Sequence, residues 1–149
     1  ERSRGLGDVY KRQDIDFYDD YAHHPTEIKF VLEGVKQVYS GFEKVCIFQP
    51  HRISRLKDLR KEFSFAFQNA DTVILCPVFT AGEKIKLGFS YLNFAKEIIK
   101  NSKVKLFLIN DFKQLAIFLK KNMYGKKIVI GMGAGSISNW MRRLQEIII

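Results

Sequence analysis

Cysteine, proline and tryptophan are scarce in this sequence of 149 residues, which contains two cysteines, three prolines and one tryptophan. Cys46 and Cys76 both lie inside apolar runs, where a cysteine acts as a small buried hydrophobe, so we predict neither a disulfide nor a redox role. No Cys-x-x-Cys or His-x-x-x-His spacing is present, which argues against a structural zinc site. We therefore predict no metal site in this chain.

Long apolar segments are also lacking. No run reaches the roughly 18 residues that a membrane-spanning helix needs, and no charged segment followed by an apolar one marks a secretory leader. The Gly-x-x-x-x-Gly-Lys-Ser/Thr loop, which cradles the phosphates of ATP and helps to position magnesium, is absent as well. The sequence thus predicts a cytoplasmic chain that performs no ATP chemistry by itself.

The composition that remains is typical of one globular domain, with 46% hydrophobic and 28% charged residues. A net charge of +9 suggests a polyanionic partner. Many of the lysines fall on the polar faces of helical patterns and are not interleaved with aromatic residues, which disfavours nucleic acid. A nucleotide or nucleotide-sugar explains the charge equally well, so the charge alone does not choose between these partners.

Strand-like apolar runs alternate with helical patterns from residue 14 onwards. The predicted strands are Ile15–Tyr21, Lys44–Gln49, Thr72–Val78, Val104–Ile109 and Lys127–Met132. The predicted helices are Pro25–Tyr39, Ser54–Asn69, Leu87–Asn101, Phe112–Met123 and Ser136–Ile148. Five β-α units predict an α/β fold, a Rossmann-like three-layer αβα sandwich with a mostly parallel sheet of five to six strands. Residues 1–13 show no periodicity, and we interpret them as a non-native leader or linker.

Two polar clusters follow the first two predicted strands. The first is Asp19-Asp20-Tyr21-Ala22-His23-His24-Pro25-Thr26-Glu27, in which Pro25 suits the first position of a helix. The second is Phe48-Gln49-Pro50-His51-Arg52-Ile53-Ser54-Arg55. Ligands of parallel sheets bind outside the carboxyl ends of the strands, so these clusters, and a third at residues 79–86, are expected to share one edge.

Arg52 and Arg55 are three residues apart at a predicted helix start, so they lie on one face if the first turn has formed. Guanidinium groups bind carboxylates bidentately and stay charged at any pH. From the residues alone, surface arginines that are solvated or paired with Asp58 are the commoner case.

A glycine-rich run, Gly131-Met132-Gly133-Ala134-Gly135-Ser136, also follows a predicted strand and opens a predicted helix. Its sixth position is serine instead of glycine, and no strand with an acidic residue follows it, as the dinucleotide fingerprint requires. A tight strand-to-helix turn is the better interpretation, and a partial anion nest stays open.

The first two clusters resemble signatures of the C-terminal domain of the UDP-N-acetylmuramate:L-alanine ligases (MurC), a family of Mur ligases. The second signature of that family reads Phe-Gln-Pro-His-Arg-Tyr-Thr/Ser-Arg, and weaker matches are Ala81-Gly82-Glu83 and Gly133-Ala134-Gly135-Ser136-Ile137. The similarity begins near Asp14, which implies a Mur ligase C-terminal (glutamate-ligase-like) domain over residues 14–149. The N-terminal and central domains of those ligases have no counterpart here.

The resemblance implies a reaction in peptidoglycan synthesis. ATP converts the lactyl carboxylate of UDP-N-acetylmuramate to an acyl phosphate, the amine of L-alanine attacks it, and phosphate leaves. ATP and Mg²⁺ would be bound mainly by the absent central domain, while this domain would supply the amino-acid pocket and close over the nucleotide. The implied partners are therefore L-alanine, ATP, UDP-N-acetylmuramate and the other two domains, without nucleic acid or membrane, and the fragment alone is expected to be inactive.

The resemblance also assigns an amino-acid pocket, which consists of Tyr21, His23, His51, Arg52 and Arg55. In the family the arginines hold the carboxylate of L-alanine. The two histidines are expected to orient L-alanine and to act as catalytic residues by accepting a proton from its ammonium group.

Asp19 and Asp20 are expected to contact the nucleotide ribose or to hold their loop, two roles that the sequence does not separate. Two departures from the family affect other positions. Ile53 replaces a frequent aromatic residue, and the segment 76–80 lacks the usual acidic residue, tyrosine and proline.

Two alternative functions stay open. A related ligase that recycles a whole peptide onto the same sugar resembles the first cluster, but it tends to carry phenylalanine in place of Tyr21 and lacks the paired-arginine motif. The second alternative is a non-catalytic Rossmann-like module that binds a nucleotide or another anion.

Overall fold

The chain alternates strands and helices in a computed structural model that describes residues 14–79, 90–122 and 124–148. The strands are β1 (Ile15–Asp20), β2 (Glu43–Phe48), β3 (Thr72–Leu75), β4 (Lys105–Leu108) and β5 (Lys127–Met132). The helices are α1 (Pro25–Val38), α2 (Ile53–Asp58), α3 (Arg60–Phe65), α4 (Tyr91–Ser102), α5 (Phe112–Lys121) and α6 (Ile137–Ile148). Within these ranges no helix has the length and apolar character that crossing a membrane requires.

The five strands form one parallel sheet in the order β1-β5-β2-β3-β4. The last strand of the sequence therefore lies between the first two: Val129 pairs with Phe17 on one side and with Val45 on the other. Parallel strands require crossover connections, which the helices supply. Helices cover both faces of the sheet, so β5 is buried along its whole length.

Alternate residues of the strands face two different helical layers. On one face, Cys46, Phe48 and Ile130 pack with α1, α3 and α4. On the other face, Ile47 and Val129 pack with α5 and α6. Each large apolar side chain buried in this way contributes about 1.5–3 kcal/mol to folding. The predicted αβα sandwich with a parallel sheet is confirmed.

Cys46 and Cys76 are both free and buried, as predicted. They lie on opposite faces of the sheet, Cys46 in the core beneath α1 and Cys76 in the core beneath α5 and α6. Burial raises the pKa of both thiols, that of Cys76 to about 12. Neither thiol is therefore ionised at neutral pH.

The prediction of one continuous helix over Ser54–Asn69 is wrong, because this segment forms the two short helices α2 and α3. The break lies at Leu59, whose φ of −113° and ψ of 23° end one helix and cap the other. The resulting bend allows Leu56 and Phe63 to enter the same core. Predictions about residues 1–13, Ala81-Gly82-Glu83 and the start of the helix at Leu87 lie outside the described residues.

Candidate functional site

The carboxyl ends of β1, β5 and β2 form the edge at which the predicted clusters meet. The helix that follows β1 packs on one face of the sheet, whereas the helix that follows β5 packs on the other. The chain therefore leaves these two neighbouring strands towards opposite faces of the sheet. Open α/β sheets bind ligands at such a topological switch point.

The loop between β1 and α1 is fixed by a capping box. His24 is the N-cap residue of α1, and its Nδ1 accepts the N–H of Thr26 at 3.2 Å. The carboxylate of Glu27 accepts the N–H groups of His23 and His24, each at 3.1 Å. The backbone bond from His23 holds the pKa of Glu27 below its ordinary value. The imidazole of His24 is thus used in forming the helix end, while that of His23 is directed elsewhere.

The ring of His23 has a defined tautomer when it is neutral. Its Nδ1 lies 3.0 Å from the carbonyl oxygen of Tyr21, which can only accept, so the proton is on Nδ1 and the lone pair is on Nε2. The Glu27 carboxylate, 3.8 Å from the same nitrogen, favours a proton there as well. The exposed Tyr21 ring meets the His23 ring edge-on at 5.7 Å. His23 therefore offers Nε2 as a hydrogen-bond acceptor.

The His51 imidazole lies between the first and third loops. It stacks on the ring of Phe79, with centroids 5.5 Å apart and an angle of 18°, and it meets the ring of His23 at 5.9 Å. Its Nδ1 is buried, and no described residue forms a hydrogen bond with it. Burial lowers the pKa of His51, and the charges of His23, Arg55 and Arg52 lower it further. His51 is thus a neutral imidazole at neutral pH, able to accept a proton.

Arg52 lies at the N-cap of α2, before its first turn, with φ 73° and ψ 131°. Helix α2 begins at Ile53 and Arg52 precedes it, so a shared face for the side chains of Arg52 and Arg55 stays a prediction. Arg52 is exposed and Arg55 is half-buried, and both are near enough to His51 to lower its pKa. The two arginines differ in backbone geometry, since Arg55 lies within the helix and Arg52 precedes it.

Phe79 joins the third loop to the second. Its N–H donates to the carbonyl of Pro50 at 2.8 Å, and its carbonyl accepts the N–H of Arg52 at 2.8 Å, which forms a parallel bridge opposite His51. Its ring also touches the loop after β5, because a Cβ on Gly135 would lie 2.5 Å from the Cγ of Phe79. The absence of a side chain at Gly135 therefore leaves room for the phenyl ring.

Gln49 joins the end of β2 to the start of α6 and is buried. Its Nε2 donates to the hydroxyl of Ser136 at 3.0 Å, and its Oε1 accepts the N–H of Ile137 at 3.0 Å. A Cβ on Gly133, where φ is 151°, would lie 2.8 Å from the carbonyl oxygen of Gln49, so only glycine fits there. The glycine-rich run forms a tight turn from β5 into α6.

Both aspartates of the first cluster have partners within the protein. The Asp20 carboxylate accepts the N–H of Ala22 at 2.9 Å, and its carbonyl accepts the N–H of Gly133 at 3.3 Å. The Asp19 carboxylate accepts the hydroxyl of Ser138 at 2.6 Å. These bonds hold the first loop against the loop after β5. Contact of either aspartate with a ribose stays a prediction.

Ring contacts join Tyr21, His23 and His51 of the predicted pocket, and Arg52 and Arg55 lie at the start of α2, directly after His51. Their common role in binding an amino acid stays a prediction. Sequence reasoning missed Gln49 and Phe79 as residues that hold this pocket. Gln49 lies inside the second cluster, at the end of the predicted strand Lys44–Gln49. A polar residue at the end of an apolar run was the signal that could have identified it. Phe79 begins the third predicted cluster, but its stacking on His51 was not predictable, because that contact depends on how two loops meet. Across the described ranges, no group of three or more His, Cys, Asp or Glu side chains is arranged to hold a metal ion.

A family model described as "Mur ligase, glutamate ligase domain" matches residues 7–135 of the chain. The matched range includes part of the segment 1–13, and the domain boundary at Asp14 stays a prediction.

Curated relatives resemble the chain over nearly its whole length. It is 63% identical over 145 residues to the UDP-N-acetylmuramate–L-alanine ligase of Pelagibacter ubique, a match that covers 97% of this chain and 31% of the relative. It is 39% identical over 146 residues to the ligase of the same name from Fusobacterium nucleatum, with 98% and 30% covered. The chain therefore spans about 30% of the length of these relatives.

Solved structures give the same fold. The UDP-N-acetylmuramate-alanine ligase MurC of Thermotoga maritima matches with a TM-score of 0.70 and 27% identity, over 91% of this chain and 27% of that one. A murein peptide ligase of Psychrobacter arcticus matches with a TM-score of 0.71 over 91% of this chain and 28% of that one. Its identity of 17% means that this second likeness shows the fold alone.

Proposed function

Because the chain belongs to the Mur ligase family, as its glutamate ligase domain, we propose that residues 14–149 are the C-terminal domain of an ATP-dependent UDP-N-acetylmuramate:L-alanine ligase. In this role the domain supplies the pocket for L-alanine. The rest of the ligase makes most of the contacts with ATP and UDP-N-acetylmuramate. The relatives at 63% and 39% identity both carry the name of that ligase, which supports this member of the family.

One observation carries the proposal: the His51 imidazole, which stacks on Phe79, shares the carboxyl edge of the sheet with Arg52 and Arg55, two permanent cations at the start of α2. Burial lowers the pKa of His51, and the charges of His23, Arg55 and Arg52 lower it further. An α-amino acid has a carboxylate that guanidinium groups bind and an ammonium group that must lose a proton before it attacks. The site offers a partner for each of these groups.

The proposed chemistry is amide formation through an acyl phosphate. ATP transfers its γ-phosphoryl group to the lactyl carboxylate of UDP-N-acetylmuramate, and bound Mg²⁺ would stabilise the charge of that transfer. In this domain Arg52 and Arg55 hold the alanine carboxylate, which fixes the position of the amine. His51, or His23 through Nε2, accepts the ammonium proton, and the free amine then attacks the activated carbonyl as phosphate leaves.

The related peptide-recycling ligase is the second candidate. A family member whose name specifies the L-alanyl-γ-D-glutamyl-diaminopimelate peptide has the same fold at 17% identity. Tyr21, Arg52 and Arg55 favour the single amino acid as the substrate. The peptide-recycling ligases tend to carry phenylalanine in place of Tyr21 and lack the paired-arginine motif. Competition between L-alanine and that tripeptide in the intact ligase separates the two functions, because only one of them should be a substrate.

The test of the proposed function uses the ligase that contains this domain. Each charge-assisted hydrogen bond contributes about 1.5–3 kcal/mol, so Arg52→Ala and Arg55→Ala should each raise the KM for L-alanine about ten- to a hundredfold. The KM for ATP should change by less than about twofold, since the arginines do not contact ATP in this proposal. Arg52→Lys should not restore alanine use, because a point charge does not reproduce the planar fork.

Arg60→Ala is the matched control, since Arg60 pairs with Glu97 at 3.1 Å on the α3 and α4 surface. It should leave both constants unchanged. If Arg52→Ala and Arg55→Ala also leave alanine use within about twofold of wild type, or if they weaken ATP instead, the assignment of the pocket is wrong.

A further inference from the structure

We infer that Phe79 is a positioning residue of this site: its ring sets the orientation of the His51 imidazole, and its backbone holds Arg52 in place. The inference depends on the proposed function only for the role of His51 and Arg52 in binding L-alanine. The contacts themselves stand apart from the identity of the substrate.

The stacked ring is the first support. His51 and Phe79 are 5.5 Å apart between centroids and nearly parallel, while His23 approaches the same imidazole edge-on. The His51 Nδ1 atom is buried without a hydrogen-bond partner among the described residues, so no hydrogen bond at that nitrogen fixes the ring. Two aromatic contacts therefore determine the plane of the imidazole, and Phe79 makes the stacked one.

The backbone of Phe79 is the second support. The carbonyl of Phe79 accepts a hydrogen bond from the N–H of Arg52, and the N–H of Phe79 donates one to the carbonyl of Pro50, both at 2.8 Å. Between these bonds the backbone of Arg52 has a positive φ of 73°, a conformation that costs a non-glycine residue energy and persists only where neighbours enforce it. The bridge to Phe79 is such a restraint, and it fixes the direction in which the Arg52 side chain leaves the backbone.

Gly135 is the third support, because it shows that the phenyl ring is confined. Its position would bring a Cβ within 2.5–2.9 Å of three atoms of Phe79, closer than real Cβ atoms approach any neighbour. The ring is therefore held by the loop after β5 as well as by His51.

The test is a titration of the histidine side chains by NMR in this chain, in wild type and in Phe79→Leu. The charged or titratable groups facing His51 among the described residues are His23 from the first loop, Arg52 at the start of α2 and Arg55 within it. None of these is altered by the substitution. Removal of the aromatic cover should hydrate the imidazole and raise the pKa of His51 towards its ordinary value.

Phe79→Tyr and Phe65→Leu complete the comparison. Phe79→Tyr keeps the ring and should retain the wild-type titration of His51. Phe65 on α3 is 37% exposed against 36% for Phe79, so Phe65→Leu controls for the loss of an equally exposed phenylalanine and should have no effect. Gly135→Ala leaves residue 79 unchanged but displaces its ring, and should shift the His51 resonances even if Phe79→Leu fails to fold.

The inference is wrong if the pKa and ring-proton shifts of His51 are the same in wild type, Phe79→Leu and Gly135→Ala. A kinetic arm in the intact ligase then separates this inference from the proposed function. Phe79→Leu should raise the KM for L-alanine and leave that for ATP unchanged. If the titration changes but the KM for L-alanine does not, Phe79 positions His51 as inferred, and the role proposed for His51 in amino-acid binding is the part that fails.

Discussion

The imidazole of His23 meets that of His51 edge-on, with centroids 5.9 Å apart and an angle of 63° between the planes. The rings come from the loops after β1 and β2, which are not adjacent because β5 lies between them. A positive charge on His23 disfavours one on His51. The edge-on contact with His23 therefore favours the neutral form of His51.

Folding stability should fall on acidification through the titration of His51. Its pKa is below the ordinary 6.5 in the folded state, so the unfolded chain binds the proton more readily. The corresponding stability is fully present above about pH 6.5 and is lost as the pH falls through the lower folded-state value. Denaturant unfolding at about pH 7.5 and pH 5 should show a larger loss for wild type than for His51→Gln.

Two carboxylates, Glu27 and Glu43, affect folding stability in a lower range of pH than His51 does. The pKa of Glu27 is lowered from 4.5 by backbone hydrogen bonding, and that of Glu43 is lowered by Lys127 despite an opposing effect of burial. The stability that these two carboxylates contribute to the folded state is lost as the pH falls below about 4.5. An equal loss in wild type and His51→Gln between pH 7.5 and 5 would contradict the assignment to His51.

Arg52→Gly should be more stable than Arg52→Ala. Both variants remove the guanidinium group, but alanine keeps the penalty of φ 73° whereas glycine does not. Relief of about 1–3 kcal/mol of strain, less about 0.5–1 kcal/mol for the greater freedom of unfolded glycine, predicts a net difference of about 1 kcal/mol. Urea unfolding of the two variants measures it.

Lys103→Gly and Lys103→Ala form the matched control pair, since Lys103 ends α4 in the left-handed conformation with φ 57°. Lys103→Gly should likewise be more stable than Lys103→Ala, and neither variant should affect the site. Equal stability of Arg52→Gly and Arg52→Ala would show that the backbone at Arg52 is not strained.

Gln49→Leu should lower the free energy of unfolding by about 1–3 kcal/mol. The substitution leaves the buried Ile137 N–H without a partner, which costs about that much, and it also removes the partner of the half-buried Ser136 hydroxyl. Gln68→Leu is the control, because Gln68 is exposed and its amide makes one long bond of 3.4 Å. A change below about 0.5 kcal/mol in both variants would mean that Gln49 does not join the two loops.

The purified chain should neither turn over ATP nor form an amide by itself. Its sequence lacks the Gly-x-x-x-x-Gly-Lys-Ser/Thr loop, which positions phosphates and magnesium in P-loop enzymes. A phosphate-release assay with repeatedly repurified chain, compared with an enzyme-free baseline, measures this. Turnover that rises in proportion to the concentration of the chain would refute the proposed division of labour between domains.

Apolar runs that alternate with helical patterns were sufficient to predict the parallel sheet, because strands buried on both faces appear as continuous apolar runs such as Lys127–Met132. The shared edge of the first two clusters followed from connectivity. The break at Leu59 was not predictable, since no glycine or proline marks it and the packing of Leu56 and Phe63 decides it. The positive φ of Arg52 also depends on tertiary contact, through the bond to the Phe79 carbonyl.

The placement of the two cysteines on opposite faces gives the chain a pair of internal reporters. Thiol reagents attack only an exposed thiolate, and burial suppresses both exposure and ionisation at each position. The labelling rate of Cys46 therefore measures the opening of the layer formed by α1, α3 and α4, and that of Cys76 the opening of the layer formed by α5 and α6. Comparing the two rates with and without a ligand would show which half of the sandwich the ligand makes rigid.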